Sequence, residues 1–491
     1  MTWAVRSLVV GQVVVALLVA WRYAPPSPAP VDLDPARFSA GRAAVVLEDV
    51  LGDGSPHPCG SVANRAVRDR IVGHFERMGY APTIAPKMEV CHPRGGCCEV
   101  ENLSVFIPGV RDDEIVALVA HYDSVAEGPG AGDDGAGVAA ILEVARILAD
   151  LPKPHRSIFL LLTDGEEMGL LGAKAFVSRA PEVGRIVALL NLEARGTSGP
   201  SIMFETTPGN QALVSAFARA APRPVTNSLA ATVYREMPND TDLTVFSDAG
   251  IPGLNFAFIG GGQNYHTPND SLENLDLGSL QQQGENALAA LLSLAAGAPV
   301  DADTDAVFFD VLAAWVVTWP APWTLPLALL GLGLLVVAWG RGRRVQSVGW
   351  RGVGLGAAWT LGGLLMTAIL AGGLVVLFVR VGLIDALWQP DPRPWLGLFY
   401  ALGLMPLALV GFRFGVRMTY RETWLGVWLV WGVLGVLVAA WRPGVAYLFV
   451  VPVLVAGVTA LGAVTGSRFA GALGTLPAAL TASLLFFPLL P

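Results

Sequence analysis

Charge is what this 491-residue sequence lacks most. Asp, Glu, Lys and Arg make up 15% of it, against roughly 25% in ordinary soluble domains, and the mean hydropathy is +0.54. The deficit is concentrated after residue 306, where apolar runs dominate. A uniformly soluble protein is excluded; the composition is that of a soluble domain joined to a membrane domain. Basic residues are the scarcer sign, 32 against 40 acidic ones, for a net charge of -8. That argues against nucleic acid as a partner, which wants a basic patch. Cysteine is scarce too: Cys59, Cys91, Cys97 and Cys98, all early in the chain. The spacing of Cys91, Cys97 and Cys98 does not match the usual zinc-ligand pairs. One or two disulfides fit better if this part lies outside the cytoplasm.

The long apolar runs are at the two ends. Leu8 to Trp21 is broken only by Gly11 and Gln12 and, extended from Trp3 to Tyr23, can cross a bilayer. No small-x-small cleavage site follows it, which favours an uncleaved anchor over a signal peptide. Residues 1–24 are therefore read as an anchor, 25–39 as a Pro-rich linker, 40–297 as an α/β domain, 298–322 as a linker with an interfacial or span-initiating segment (Ala306–Trp319), and 323–491 as a membrane domain of about six helices. The expected spans are Thr324–Trp339, Gly354–Val379, Trp395–Val410, Trp424–Ala440, Val445–Val464 and Leu473–Leu490. Arg341, Arg343, Arg344 and Arg351 fall in one loop, and Arg413, Arg417 and Arg421 in another. By the positive-inside rule those loops are cytoplasmic, so the α/β domain faces the other side. Together these give an integral membrane protein, at the cell membrane, of unknown oligomeric state.

Within 40–297, strand patterns alternate with helical ones, which predicts an α/β fold with a largely parallel sheet. Apolar strands over Glu114–Ala120, Arg156–Thr163, Arg185–Leu192 and Gly253–Ile259 are each followed by polar groups: His121 and Asp123; Asp164, Glu166 and Glu167; Glu193; and His266. Ligands bind off the carboxyl ends of strands in such sheets. So many acids on one rim would repel unless a cation neutralised them, and nitrogen and oxygen donors suit Zn²⁺ or a similar divalent ion. The loop Gly130-Ala131-Gly132-Asp133-Asp134-Gly135 also satisfies the dinucleotide pattern G-x-G-x-x-G. Two carboxylates at that helix N-terminus oppose a pyrophosphate, so the pattern is set aside.

These motifs carry a family resemblance. His121-Tyr122-Asp123, the loop from Gly132 to Gly137, Asp164-Gly165-Glu166-Glu167, Asn191-Leu192-Glu193 and Tyr265-His266-Thr267 resemble, in order and spacing, the M28 family of co-catalytic zinc aminopeptidases. The soluble-then-multispan layout resembles its membrane-bound branch of endoplasmic reticulum and vacuolar proteases. Pro56-His57-Pro58 with Gly60-Ser61, and Pro238-Asn239-Asp240-Thr241-Asp242, also have counterparts there. The resemblance implies a zinc exopeptidase fold, with a mixed, largely parallel central sheet flanked by helices and two Zn²⁺ per chain. Asp133 would bridge the ions, His121 and Glu193 completing one site, Glu167 and His266 the other. Glu193 stands where many soluble members have Asp; both are competent oxygen ligands. Glu166 would be the general base, Asp123 would fix the His121 tautomer, and a cis peptide would follow the bridging Asp, at Asp133–Asp134. Tyr265, or Tyr234, would help stabilise the tetrahedral intermediate.

The function implied is a membrane-bound zinc exopeptidase acting on peptides, an aminopeptidase first. Arg195 and Arg235 lie near the site segments and leave carboxypeptidase or dipeptidase action open. A glutaminyl cyclase-like enzyme would need a single zinc and is disfavoured by five intact donors. A scaffold or transporter with a vestigial peptidase domain is the non-enzymatic alternative, and the scarcity of acidic residues in the spans disfavours an ion-coupled transporter.

Overall fold

The computed structural model describes residues 3–93, 96–301, 303–345, 348–382, 419–464, 479–482 and 485. Arg22–Pro320 forms one compact unit, and the apolar helices on either side of it in sequence group into another.

The first unit follows the terminal helix α1 (Trp3–Tyr23). In chain order it comprises α2 (Ala40–Leu51), α3 (Val62–Arg77), β1 (Thr83–Ile84), β2 (Met88–Cys91), β3 (Cys97–Val100), β4 (Leu103–Ile107), β5 (Arg111–His121), α4 (Gly135–Ala149), β6 (Arg156–Thr163), α5 (Leu171–Arg179), β7 (Ile186–Ala194), β8 (Ile202–Thr206), α6 (Gln211–Ala220), α7 (Ser228–Tyr234), α8 (Asp242–Asp248), β9 (Gly253–Phe258), α9 (Leu277–Ala295), β10 (Ala306–Val311) and β11 (Trp315–Pro320). Seven strands form one sheet in the order β1-β4-β6-β5-β7-β9-β8. The central strands β6, β5, β7 and β9 run parallel, β4 and β8 run antiparallel to them, and β1 pairs antiparallel with β4 at the edge. The sheet is mixed and flanked by helices, as expected.

Strand β5 shows why. Its residues 115–121 are all buried. Val116, Leu118 and Ala120 pack into a core with α2, α4 and α9, while Ile115, Ala117 and Val119 pack on the other face with Phe176, Leu243 and Phe246. A strand covered on both faces needs an unbroken apolar run, not an alternating one. Both clusters therefore fix the height at which the strand stops and its polar loop begins.

Several local readings change. Thr83–Glu89, expected as one strand, is split at Pro86: β1 pairs with β4, and β2 pairs with β3 in a separate hairpin. Proline cannot donate to a ladder, which favours the break there. That hairpin is tied down by the disulfides Cys59–Cys98 and Cys91–Cys97, which use all four cysteines. The Pro-rich stretch is docked rather than a free spacer: the Ala29 amide donates to Gln281 Oε1 (3.0 Å), and the Ser39 hydroxyl donates to Pro30 O (2.8 Å). The segment Ala306–Trp319, expected to lie at the interface or to begin a span, does not begin a span. It is the hairpin β10–β11, and its residues Val307 and Phe308 are buried in the unit.

Among the described residues, three helices are long and apolar enough to cross a membrane: Ala321–Arg344, Trp350–Arg380 and Arg421–Trp441. Val10–Tyr23 and Tyr447–Gly462 are shorter apolar helices. The expected span Trp395–Val410 lies outside the described residues, and Leu473–Leu490 almost wholly so.

The tightest helix contact in the first unit is at Gly284, where an added Cβ would stand 2.0 Å from Phe38 Cζ. Gly284→Ala is expected to destabilise the unit by roughly 1–3 kcal/mol through overpacking. Gly184→Ala, whose Cβ meets nothing within 4 Å, should cost nothing. Thermal unfolding of the two variants side by side checks this.

Candidate metal centre

Four loops converge above the carboxyl ends of the parallel strands. His121 is the last residue of β5, Glu166 and Glu167 follow β6, and Glu193 is the penultimate residue of β7, inside the strand rather than just past its end as expected. His266 lies in the loop after β9. Asp133 is in the β5–α4 loop. Their ligand-capable atoms form two groups, His121–Asp133–Glu193 and Asp133–Glu167–His266, each within 4.8 Å. Asp133 belongs to both. Its Oδ1 is 3.3 Å from His121 Nε2, and its Oδ2 is 3.2 Å from His266 Nε2. His121 Nε2 is 3.8 Å from Glu193 Oε2, and His266 Nε2 is 3.1 Å from Glu167 Oε2.

The backbone around Asp133 explains the glycines. Gly130 takes φ +66°, and a Cβ at Gly132 would meet Gly196 O at 2.6 Å. The Asp133–Asp134 peptide is cis. Asp134 caps α4, accepting from the Gly137 amide (3.0 Å) and also from the His121 amide (3.3 Å). Asp270, four residues beyond His266, accepts the amides of Gly132 (2.7 Å) and Asp133 (3.2 Å). It thus ties the Asp133 loop to the His266 loop. The sequence reading missed Asp270; its nearness to His266 was the available signal.

Asp123 acts somewhat differently from expectation. Its carbonyl oxygen, 3.0 Å from His121 Nδ1, is closer than its carboxylate at 3.5 Å. The carboxylate also accepts the amides of Glu166 (3.0 Å) and Glu167 (3.3 Å). One buried side chain therefore aligns both the imidazole and the acidic turn. On β7, the Asn191 amide donates to Glu193 Oε1 (2.9 Å), leaving the other oxygen facing His121. His266 has a left-handed backbone, φ 55°, a conformation that costs about 1–3 kcal/mol outside glycine and persists where its surroundings hold it. The Tyr265 ring stacks on it at 3.7 Å, and the Arg195 guanidinium lies 5.2 Å from the Tyr265 ring centre. Tyr234 packs edge-on against Phe204 in α7 and β8. Arg235 is occupied by Asp305 (3.3 Å) and by Thr206 O (3.1 Å).

Burial dominates the electrostatics. It lifts Glu166 well above the ordinary carboxyl range, against the pull of the His121 charge and helped by Glu193 and Glu167. Burial also raises Glu193 strongly, and Glu167 to about 7 with the Asp133 charge adding. Burial pulls the imidazoles down, but their carboxylate neighbours prevail, holding His121 high and His266 at about 9. Burial pushes the Asp133 carboxyl up, but the hydrogen bonds and charges of His121 and His266 together hold it below the ordinary carboxylate range. Glu167 Oε1 is buried without a hydrogen-bond partner. Oxygen and imidazole donors, an orphaned carboxylate oxygen and raised carboxyl pKa values all fit a cation as the absent neutralising group. A cavity of about 240 Å³ opens beside the cluster, lined by Glu166, Glu167, Tyr265, His92, Lys174 and Asp240 among others.

Helices flanking a mixed sheet, with imidazoles and carboxylates gathered off its strand ends, define an α/β domain with a candidate metal centre. Residues 102–291 match Peptidase family M28. It is 37% identical over 222 residues to endoplasmic reticulum metallopeptidase 1 of Mus musculus, covering 43% of this chain and 25% of that protein. It is 36% identical over 198 residues to a vacuolar membrane protease of Candida dubliniensis, covering 39% and 20%. The matches thus span a quarter or less of these two relatives. Among solved structures, an aminopeptidase from Aneurinibacillus sp. strain AM-1 aligns with TM-score 0.43 and 15% identity over 53% of this chain and 95% of that one. BSAP, a zinc aminopeptidase from Bacillus subtilis, aligns with TM-score 0.42 and 16% identity over 54% and 98%.

The shifts set a pH dependence for protein kept in chelator. Glu167 goes from an ordinary 4.5 to about 7 on folding, and His266 from 6.5 to about 9. Both groups bind protons more tightly when folded, so their stabilisation is full at low pH and lost as pH rises through those values. The unfolding midpoint with chelator should fall between pH 5 and 9, and added Zn²⁺ should reverse the trend because metal needs deprotonated donors. A midpoint that rises with pH in chelator would contradict this charge balance.

Proposed function

We propose that this chain is a membrane-bound zinc exopeptidase, an aminopeptidase, whose α/β unit faces the non-cytoplasmic side of the cell membrane. The observation that carries the reading is Asp133, whose two oxygens turn to two histidines in separate donor groups. His121, Asp133 and Glu193 would hold one zinc ion, and Asp133, Glu167 and His266 a second. Two such ions supply Lewis acidity, polarising a scissile carbonyl and lowering the pKa of the attacking water.

The chain's own residues do the rest. Glu166 takes the proton from the attacking water on its carboxylate and passes it to the leaving amine. Its backbone amide is pinned by Asp123 (3.0 Å), and its raised proton affinity suits a base that must also act as an acid. Burial keeps the Tyr265 hydroxyl protonated far above neutral pH, so it serves as a donor to the developing oxyanion. The Arg195 guanidinium lies over the Tyr265 ring.

Aminopeptidase action is favoured over carboxypeptidase action by charge. Apart from the proposed base and zinc ligand, Asp240 is the acid lining the cavity, and the lining lysine, Lys174, already donates to Gly169 O (2.7 Å). Such a wall attracts a protonated amino terminus and repels a free carboxylate. Of the two carboxylate-binding candidates, Arg235 is engaged by Asp305 and Arg195 lies against the Tyr265 ring. The outward orientation is supported by the arginine-rich loops of the membrane segments.

The test is metal content and hydrolysis of aminoacyl-nitroanilides by the full chain in detergent. Wild-type protein should carry close to two zinc ions and lose turnover with chelator. Glu166→Gln should keep its zinc and lose about 10²–10⁴-fold in turnover, whereas Asp133→Asn should lose zinc as well. Near wild-type turnover by Glu166→Gln would sink the assignment.

A further inference from the structure

We propose that the β10–β11 hairpin lies along the bilayer surface, with Trp315 and Val317 seated in the lipid headgroup layer. The hairpin is where both covalent connections to the apolar helices meet the α/β unit. At its turn, Arg22 of α1 donates from Nε to Leu312 O (2.9 Å) and from Nη2 to Ala313 O (3.1 Å). The neighbouring Tyr23 hydroxyl bonds the Asp310 carboxylate. At the opposite end β11 stops at Pro320, and the candidate span Ala321–Arg344 begins with the next residue. A six-residue strand covers roughly 20 Å. One end of the strand is thus held by the residues that close α1, and its other end is continuous with a candidate span, which supports the headgroup-layer placement.

The surface of β11 suits that placement. The sequence Trp315-Val-Val-Thr-Trp-Pro320 carries no charge. Trp315 is 71% and Val317 41% exposed, two residues apart and so on one face. An edge strand facing water is ordinarily blunted with charge, whereas indoles favour the headgroup layer, one side apolar and the ring N–H wet. The hairpin is no loose arm: the Thr226 amide donates to Asp310 Oδ1 (3.0 Å), and the Ser228 hydroxyl donates to Phe308 O (3.0 Å). The occupant of the exposed face is lipid because the strand is continuous with a span. The proposal rests on the membrane-spanning reading of the apolar helices and not on the peptidase assignment.

All four native cysteines are paired, so a single introduced thiol takes one label. The full chain in phosphatidylcholine nanodiscs, labelled with an environment-sensitive nitrobenzoxadiazole probe, is read at Trp315→Cys and Val317→Cys. Val62→Cys on α3 (76% exposed) is the aqueous reference, and Val376→Cys (54% exposed) lies in Trp350–Arg380. Emission at 315 and 317 should be blue-shifted and quenched by headgroup spin-labelled lipid, at 376 quenched by acyl-chain spin-labelled lipid, and at 62 neither. Water-like emission at 315 and 317 with a quenched 376 overturns the hairpin placement alone. Blue-shifted emission there without lipid quenching also overturns it, in favour of a protein occupant. Water-like emission at 315, 317 and 376 together removes the membrane reading with it.

Discussion

Mutual repulsion among buried carboxylates is the constraint around which the α/β unit is arranged. Asp133, Glu166, Glu167 and Glu193 are gathered where water cannot screen them, and two imidazoles offset only part of their charge. Holding them together takes fixed scaffolding. Asp270 grips the amides beside Asp133, Asp123 grips those of Glu166 and Glu167, and Asn191 grips one oxygen of Glu193. Each clamp is itself buried.

The sheet supplies the common origin. Strands β5, β6 and β7 are in parallel register, so their carboxyl ends lie on one edge. Their length is set by two apolar cores, one on each face. A strand shifted by one residue would exchange those faces and carry His121 away from Asp133. Precision at the cluster is therefore a packing property before it is a hydrogen-bonding one.

Much of this was legible in the sequence. The unbroken apolar runs of β5 and β6 mark doubly covered strands, and the polar residues just past them mark the rim; His121, Asp133, Glu167, Glu193 and His266 are brought together as the motif order implies. What escaped depends on contacts distant in sequence. Asp270 looks like a turn residue until the Asp133 loop is laid against it, 137 positions away. The Pro-rich stretch reads as a spacer because nothing local reveals that Gln281 receives it. The β10–β11 hairpin was hidden by composition: with Asp310 as its one acid and no base, an apolar segment beside a span looks like part of the span. Asp123 was read for one partner and has three, since backbone amides leave no mark in a sequence.

The hydrogen bonds from Arg22 to the β10–β11 turn join residues 290 and 291 positions apart. Such a contact sets an order on synthesis. While the chain emerges, the first residues after α1 have no seat: Gln281 and the hairpin turn that receive them come last. Long-range closures of this kind slow folding because loop entropy is lost before contacts repay it. The sheet and its rim of carboxylates can assemble earlier from nearer neighbours. The final fastening of the unit then coincides with arrival of the segment that leads into the next apolar helix, so completion of the fold and entry of the chain into the bilayer become successive events on one stretch of polypeptide.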